Sequence, residues 1–195
     1  MALSYSRRED GMISVVIDSN AWNYLFEKGI DLFSELPPDK FLLFIPREIE
    51  IEIEAIPNNE SKRELIAYIR QSVADCDVKT THVFGFFTQN TKVQIYGGFG
   101  FGTFQSATEL EFYDLIRDQY IIGKACRNSG LGTNVADAAV AAKSFYSIVL
   151  TNENPNKSGP LRVAFDRGGN VLYLTKLDNS NLFLKDFIIQ FHNSP

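Results

Sequence analysis

The chain has 195 residues, 45% of them apolar and 22% charged, with a formal net charge of −5. That usage belongs to a folded domain large enough to bury a core, and excludes a disordered, fibrous or collagen-like chain. The negative balance excludes indiscriminate binding to polyanions, because affinity for a phosphate backbone comes mainly from Lys and Arg displacing counterions. Any nucleic-acid contact must therefore be local. Cys76 and Cys126 stand without metal-ligand neighbours and read as two reduced thiols, as expected in the cytoplasm. No apolar run approaches the ~20 residues of a membrane span, so a membrane is not an expected partner.

The opening stretch, MALSYSRREDGM, has neither the apolar core nor the cleavage site of a signal peptide, and residues 1–11 read as a flexible, solvated arm. Residues 12–195 read as one domain with an extended insertion at about 75–130. In SVVIDSNAW, residues 14–22, the β-branched run Val15, Val16 and Ile17 predicts a buried strand that Asp18 ends with a charge. SNAWNYLFEKG carries Trp22, Leu25 and Phe26 at helical spacing and stops at Gly29. KFLLFIP, residues 40–46, is a second apolar run suited to a strand buried on both faces.

IPREIEIEIEAIP, residues 45–57, reads two ways. Its Ile/Glu alternation suits a half-buried strand, whereas Pro46 suits the first turn of a helix, where a missing N–H costs nothing. The helix is preferred, because a strand ending in FIP would otherwise run into another without a turn. It places Ile49, Ile53 and Ile56 on an apolar face with Glu52 beside it, and divides Glu48, Glu50 and Glu54 between solvent and flank. SKRELIAYIRQSVA follows, with Ser61 and Glu64 at capping-box spacing and Leu65, Ile66, Ile69 and Val73 on one face.

Residues 81–104, THVFGFFTQNTKVQIYGGFGFGTF, are rich in aromatics and glycine; with no Lys after the glycines they read as a hairpin or flap and not as a phosphate loop. Residues 106–126 repeat the helical signal, with Ser106, Glu109 and a stripe of Leu110, Tyr113, Ile116 and Tyr120. A further helix runs from Asn134 through VADAAVAAKSFY. SIVLT (147–151), LRVAF (161–165) and VLYLT (171–175) then read as short strands, and NLFLKDFIIQF as a closing helix. Strands alternating with helices predict the α/β class: a three-layer α/β/α sandwich around a mostly parallel sheet, whose ligand sites lie beyond the carboxyl ends of the strands.

Asp18 sits at such an end, and three other acids share that character. Glu52 lies beside an apolar helix face; Asp137 stands three residues after Asn134, where it also suits a helix cap; Glu153 follows Thr151 at a strand end, where it also suits a polar turn. A parallel sheet can bring all four to one rim. Such a cluster is expensive unless cations compensate it, and oxygen-only donors favour Mg²⁺ or Mn²⁺ over zinc. His82 and His192 stand apart from every motif and receive no role.

These residues resemble the PIN domain, a family of small metal-dependent nucleases. The resemblance rests on VVIDSN with Asp18, Ser19 and Asn20; on Pro46, Ile49 and Glu52; on NVADAAVAA with Asn134 and Asp137; and on VLTNEN with Thr151, Asn152 and Glu153. It spans residues 12 to about 175. It departs from the family where Glu153 replaces the commoner Asp, and in the length of residues 75–130. The resemblance implies a Rossmann-like fold, an RNA substrate and hydrolysis of phosphodiester bonds. Asp18, Glu52, Asp137 and Glu153 would bind Mg²⁺ or Mn²⁺, with Asn20 and Thr151 orienting them; Arg47, Lys62 and Arg63 would meet the phosphate backbone. It also brings a homodimer and, for toxin-like members, an antitoxin protein as expected partners. The alternative is a PIN-like scaffold that binds RNA or a protein without cutting. A phosphatase of the haloacid dehalogenase type would need an acid where Asn20 stands.

Overall fold

Three β-branched residues in a row have no polar face to offer water, and they sit where none is needed. Strand β1 (Ile13–Ile17) is buried at every position and forms the middle of a parallel sheet. The computed structural model describes residues 8–84, 96–97, 102–103, 105–122 and 125–194. β1 pairs on one side with β2 (Phe41–Pro46) and on the other with β6 (Ile148–Thr151). β3 (Lys79–Phe84) extends the sheet beyond β2, and β7 (Val171–Tyr173) beyond β6. Two short strands, β4 (Tyr96–Gly97) and β5 (Gly102–Thr103), lie along β3. Every strand pairing among the described residues is parallel.

Parallel strands need crossover helices, and right-handed crossovers place them on opposite faces when the strand order reverses. Here α1 (Ser19–Glu27), α2 (Leu32–Glu35) and α4 (Glu60–Asp75) pack on one another, while α5 (Ala107–Ile116), α6 (Val135–Lys143) and α7 (Pro160–Asp166) do the same on the other side. The architecture is the expected three-layer, Rossmann-like α/β/α sandwich. α3 (Arg47–Glu54) crosses the carboxyl rim of the sheet, touching β2, β3, α1 and α6, and α8 (Leu184–Asn193) closes the described chain. The order reverses between β1 and β6, which makes their carboxyl ends the switch point where such sheets bind ligands. No helix among the described residues is long and apolar enough to cross a membrane.

Several local expectations are corrected. LRVAF is helix α7, not a strand: Pro160 stands in the first turn after Gly159, and Leu161 and Ala164 are buried one turn apart. VLYLT is strand only to Tyr173 and then winds into a 3-10 helix, Leu174–Asn179. The helix predicted from Ser106 has its capping box, with Ser106 and Glu109 exchanging hydrogen bonds, but ends in a π-helical turn, Arg117–Ile121. α4 starts earlier than Ser61, because the Asn59 side chain accepts from the Lys62 N–H at 3.1 Å and caps the helix first. The glycine- and phenylalanine-rich stretch lies mostly outside the described residues; the parts that are described pair parallel with β3 and form no hairpin with it. Of the arm, residues 8–11 are exposed and the remainder lies outside the described residues.

α3 is a helix, as preferred, but its buried side includes an acid. Glu48, expected at solvent or flank, is only 7% exposed beside Ile49 and Ile51, because the first turn of α3 faces β3 and α6. Burial pushes its carboxyl up to about 7, partly offset by the positive charges of Lys143 and Arg47. Lys143 is itself bound to Glu109 at 2.6 Å.

Two outcomes follow from this packing. A Cβ at Gly169 would stand 2.2 Å from Ser144 Oγ and 3.0 Å from the Ala164 carbonyl, so Gly169→Ala lowers stability by ~1–3 kcal/mol in denaturant titration. Glu48 holds a proton in the folded state that the unfolded chain releases between its ordinary value of 4.5 and about 7, so its contribution to stability falls as pH rises across that window. Thermal melts of wild type and Glu48→Gln therefore coincide near the lower bound and separate by several degrees above the upper one, wild type melting lower; a gap constant with pH contradicts the assignment.

Candidate functional site

The Asp18 carboxylate is 1% exposed at the end of β1, and three features of the fold hold it there. The register that pairs Ile17 with Leu150 brings Thr151 alongside, and its hydroxyl donates to Asp18 Oδ2 at 2.7 Å. The Ser19 N–H donates to Oδ1 at 2.7 Å, so Asp18 also caps α1 and meets its positive end. Desolvation nevertheless dominates and raises the carboxyl to about 7, with the charges of Asp137 and Glu153 pushing the same way. Asn20, the second residue of α1, ties the next loop to this point: its Oδ1 accepts from the Asn152 N–H at 2.8 Å. The Glu153 N–H donates to Thr151 Oγ1 at 3.1 Å.

Glu52 and Asp137 come from α3 and α6 and meet through a third residue. The guanidinium of Arg127 is hydrogen-bonded to Glu52 Oε1 and lies 3.7 Å from Asp137 Oδ2. Glu153 is ion-paired in the same way with Lys157. The four acids named from the sequence thus stand around one rim: Arg127 spans two of them, and Asp18 lies within the fields of Asp137 and Glu153. The side chains of Glu52, Asp137 and Glu153 are 12%, 16% and 10% exposed, so they are screened from bulk water yet reachable from the surface.

Arg127 is the residue that the sequence reading missed. It sits in ACRNSGLGTN, which has neither strand nor helix period, and only the turn-prone Asn, Ser and Gly mark it. The loop closes on itself: the Arg127 N–H donates to the Leu131 carbonyl at 2.7 Å, Gly130 takes φ +84°, and the Thr133 N–H and hydroxyl both reach the Ala125 carbonyl at 2.8 Å. Asn134 does not cap α6 with its side chain as expected. It adopts a left-handed conformation, φ 67°, and its Nδ2 donates to the Tyr120 carbonyl at 3.0 Å. Asn tolerates that conformation better than most residues, and the turn aims α6 so that Asp137 faces Arg127.

A cleft of about 630 Å³ adjoins these groups, lined among others by Ser19, Asn20, Glu52, Ile56, Lys62, Leu65, Arg127 and Asn128. Of the three cations expected to meet phosphate, only Lys62 lines it. Arg47 is turned along α3 to Glu50 at 2.5 Å and Glu54 at 3.6 Å, and Arg63 is exposed at the start of α4, outside the cleft wall.

The donor set is all carboxylate oxygen, which suits a hard divalent cation. Four acids face two paired cations, Arg127 and Lys157, so room for further positive charge remains. As the side chains stand, however, no three His, Cys, Asp or Glu groups among the described residues are close enough together to hold a metal ion. Glu52, Asp137 and Glu153 are each engaged by a cation of the chain itself. Comparisons with protein-family models, curated proteins and solved structures return no match to this chain.

The Thr151 contact is directly testable. Thr151→Val removes the donor to a buried carboxylate and lowers stability by ~1.5–3 kcal/mol in denaturant titration at neutral pH, whereas Thr151→Ser keeps most of it. Equal stability of the two variants would show that the hydroxyl bears no part of the cost of burying Asp18.

Proposed function

We propose that this chain is a PIN-like ribonuclease that hydrolyses RNA phosphodiester bonds with Mg²⁺ or Mn²⁺ held by Asp18, Glu52, Asp137 and Glu153. The observation that carries the reading is the meeting of these acids, drawn from four distant segments, at the switch point of a parallel sheet with more negative charge than the neighbouring cations offset. When bound, such an ion supplies Lewis-acid activation of water and of the phosphodiester. The chain's own part is to place and orient the donors. Thr151 and the Ser19 N–H fix both oxygens of Asp18, and Asn20 locks the loop that carries Glu153. Arg127 exchanges Glu52 and Asp137 for a substrate phosphate, and Lys62 meets the same backbone across the cleft. The contact is local, in keeping with the acidic net charge.

One observation favours the non-cutting alternative. Arg127 and Lys157 already engage three of the four acids, as they would in a scaffold that needs no metal. Cleavage of a fluorescent single-stranded RNA by the purified protein separates the two. The nuclease reading expects activity with Mn²⁺ that EDTA abolishes, and a loss in Asp18→Asn and Asp137→Asn beyond the ~10–100-fold typical of groups that only orient ligands. Binding of the RNA with no cleavage at any Mn²⁺ concentration supports the scaffold; cleavage undiminished in both variants overturns the assigned site.

A further inference from the structure

A second cavity, of about 350 Å³, opens away from the carboxylate cleft. Val135 lines it, some 200° around α6 from Asp137, so the two sites use different faces of one helix. Glu48 lines one part of the wall, Val83, Ile121 and Leu131 supply aliphatic surface, and Tyr113 adds its side chain. The volume lies within the range of small-molecule sites, which combine apolar walls with a few polar groups.

The charge balance indicates what such a site would take. Glu48 is almost wholly buried, and among the described residues its carboxyl has no hydrogen-bond donor beyond its own backbone. Each neighbouring cation is already committed: Lys143 to Glu109 at 2.6 Å, Arg47 to Glu50 and Glu54, and Arg117, on the cavity wall with Asp114, to Asp114 at 3.0 Å and to Asp118 at 3.6 Å. The wall therefore offers one buried acceptor without a cation of its own. A bare metal ion would find Glu48 and an Asp114 already paired with Arg117, among aliphatic groups, which are too few free oxygens for a hard cation.

From this cavity we infer a binding site for a small organic cation with a flat apolar body. Its paired N–H groups sit on the Glu48 carboxylate, and its body lies against Tyr113 and the aliphatic walls. Paired N–H donors on a carboxylate form charge-assisted, bidentate hydrogen bonds, and the phenol ring adds attraction for the cation. The site is independent of the proposed nuclease chemistry.

Benzamidine is a suitable probe, with neutral benzamide as its control. Calorimetric titration of the full chain, at a pH above the value of about 7 at which folded Glu48 releases its proton, is expected to give a Kd below about 1 mM for benzamidine, and at least tenfold weaker binding of benzamide. Glu48→Gln weakens benzamidine at least tenfold, Ile121→Trp blocks it by filling the cavity, and Glu52→Gln leaves it unchanged; thermal melts verify that each variant is folded. No heat of binding up to 10-fold above that Kd, equal binding of benzamide, equal binding to folded Glu48→Gln, or loss on Glu52→Gln instead overturns the assignment.

Discussion

A carboxylate buried at the end of the central strand is the constraint around which this molecule is arranged. Taking Asp18 out of water is unfavourable unless its oxygens receive hydrogen bonds, and the fold provides one from the next backbone N–H and one from a hydroxyl 133 residues away. The second requires β1 and β6 to be neighbours in one register, with Thr151 as the last residue of its strand. That adjacency is also the point where strand order reverses. One contact thus links the sheet's topology to its polar rim, and from it follow the positions of Asn20, of the loop it ties down, and of Glu153.

Electrostatics decide the rest of the rim. Acids from α1's cap, α3, α6 and the loop after β6 would repel one another without compensation, and two cations offset only part of their charge. Arg127 is the more informative of the two because it spans Glu52 and Asp137 from a loop with little other structure. It is the chain's own stand-in for positive charge between those carboxylates, and any external cation or phosphate must contend with it.

How much of this was legible depended on whether a signal was local. The runs VVI, FLLFIP and IVLT are apolar on both faces and could be little else than buried strands, and the Ser106 capping box is complete within four residues. LRVAF misled because its β-branched and aromatic content outweighed Pro160, a single residue that sets the backbone for a helix. The Ile/Glu alternation of α3 placed Glu52 correctly but gave no hint that Glu48 would be buried, since that depends on α6 crossing above it. The four acids could be named from strand ends and helix starts. Arg127 could not, because its importance comes entirely from which side chains the distant parts of the chain bring against it.

The separation of Asp18 from Thr151 along the chain also has a temporal meaning. β1 leaves a ribosome ahead of β2 and β3, and the strand that satisfies its terminal acid follows only after both have been made. Contacts so remote in sequence form late and slowly. Until β6 emerges, the nascent chain carries Asp18 without its hydroxyl partner and without Glu153, so the rim is completed only when most of the domain has been synthesised, and truncated products that stop short of β6 lack it altogether.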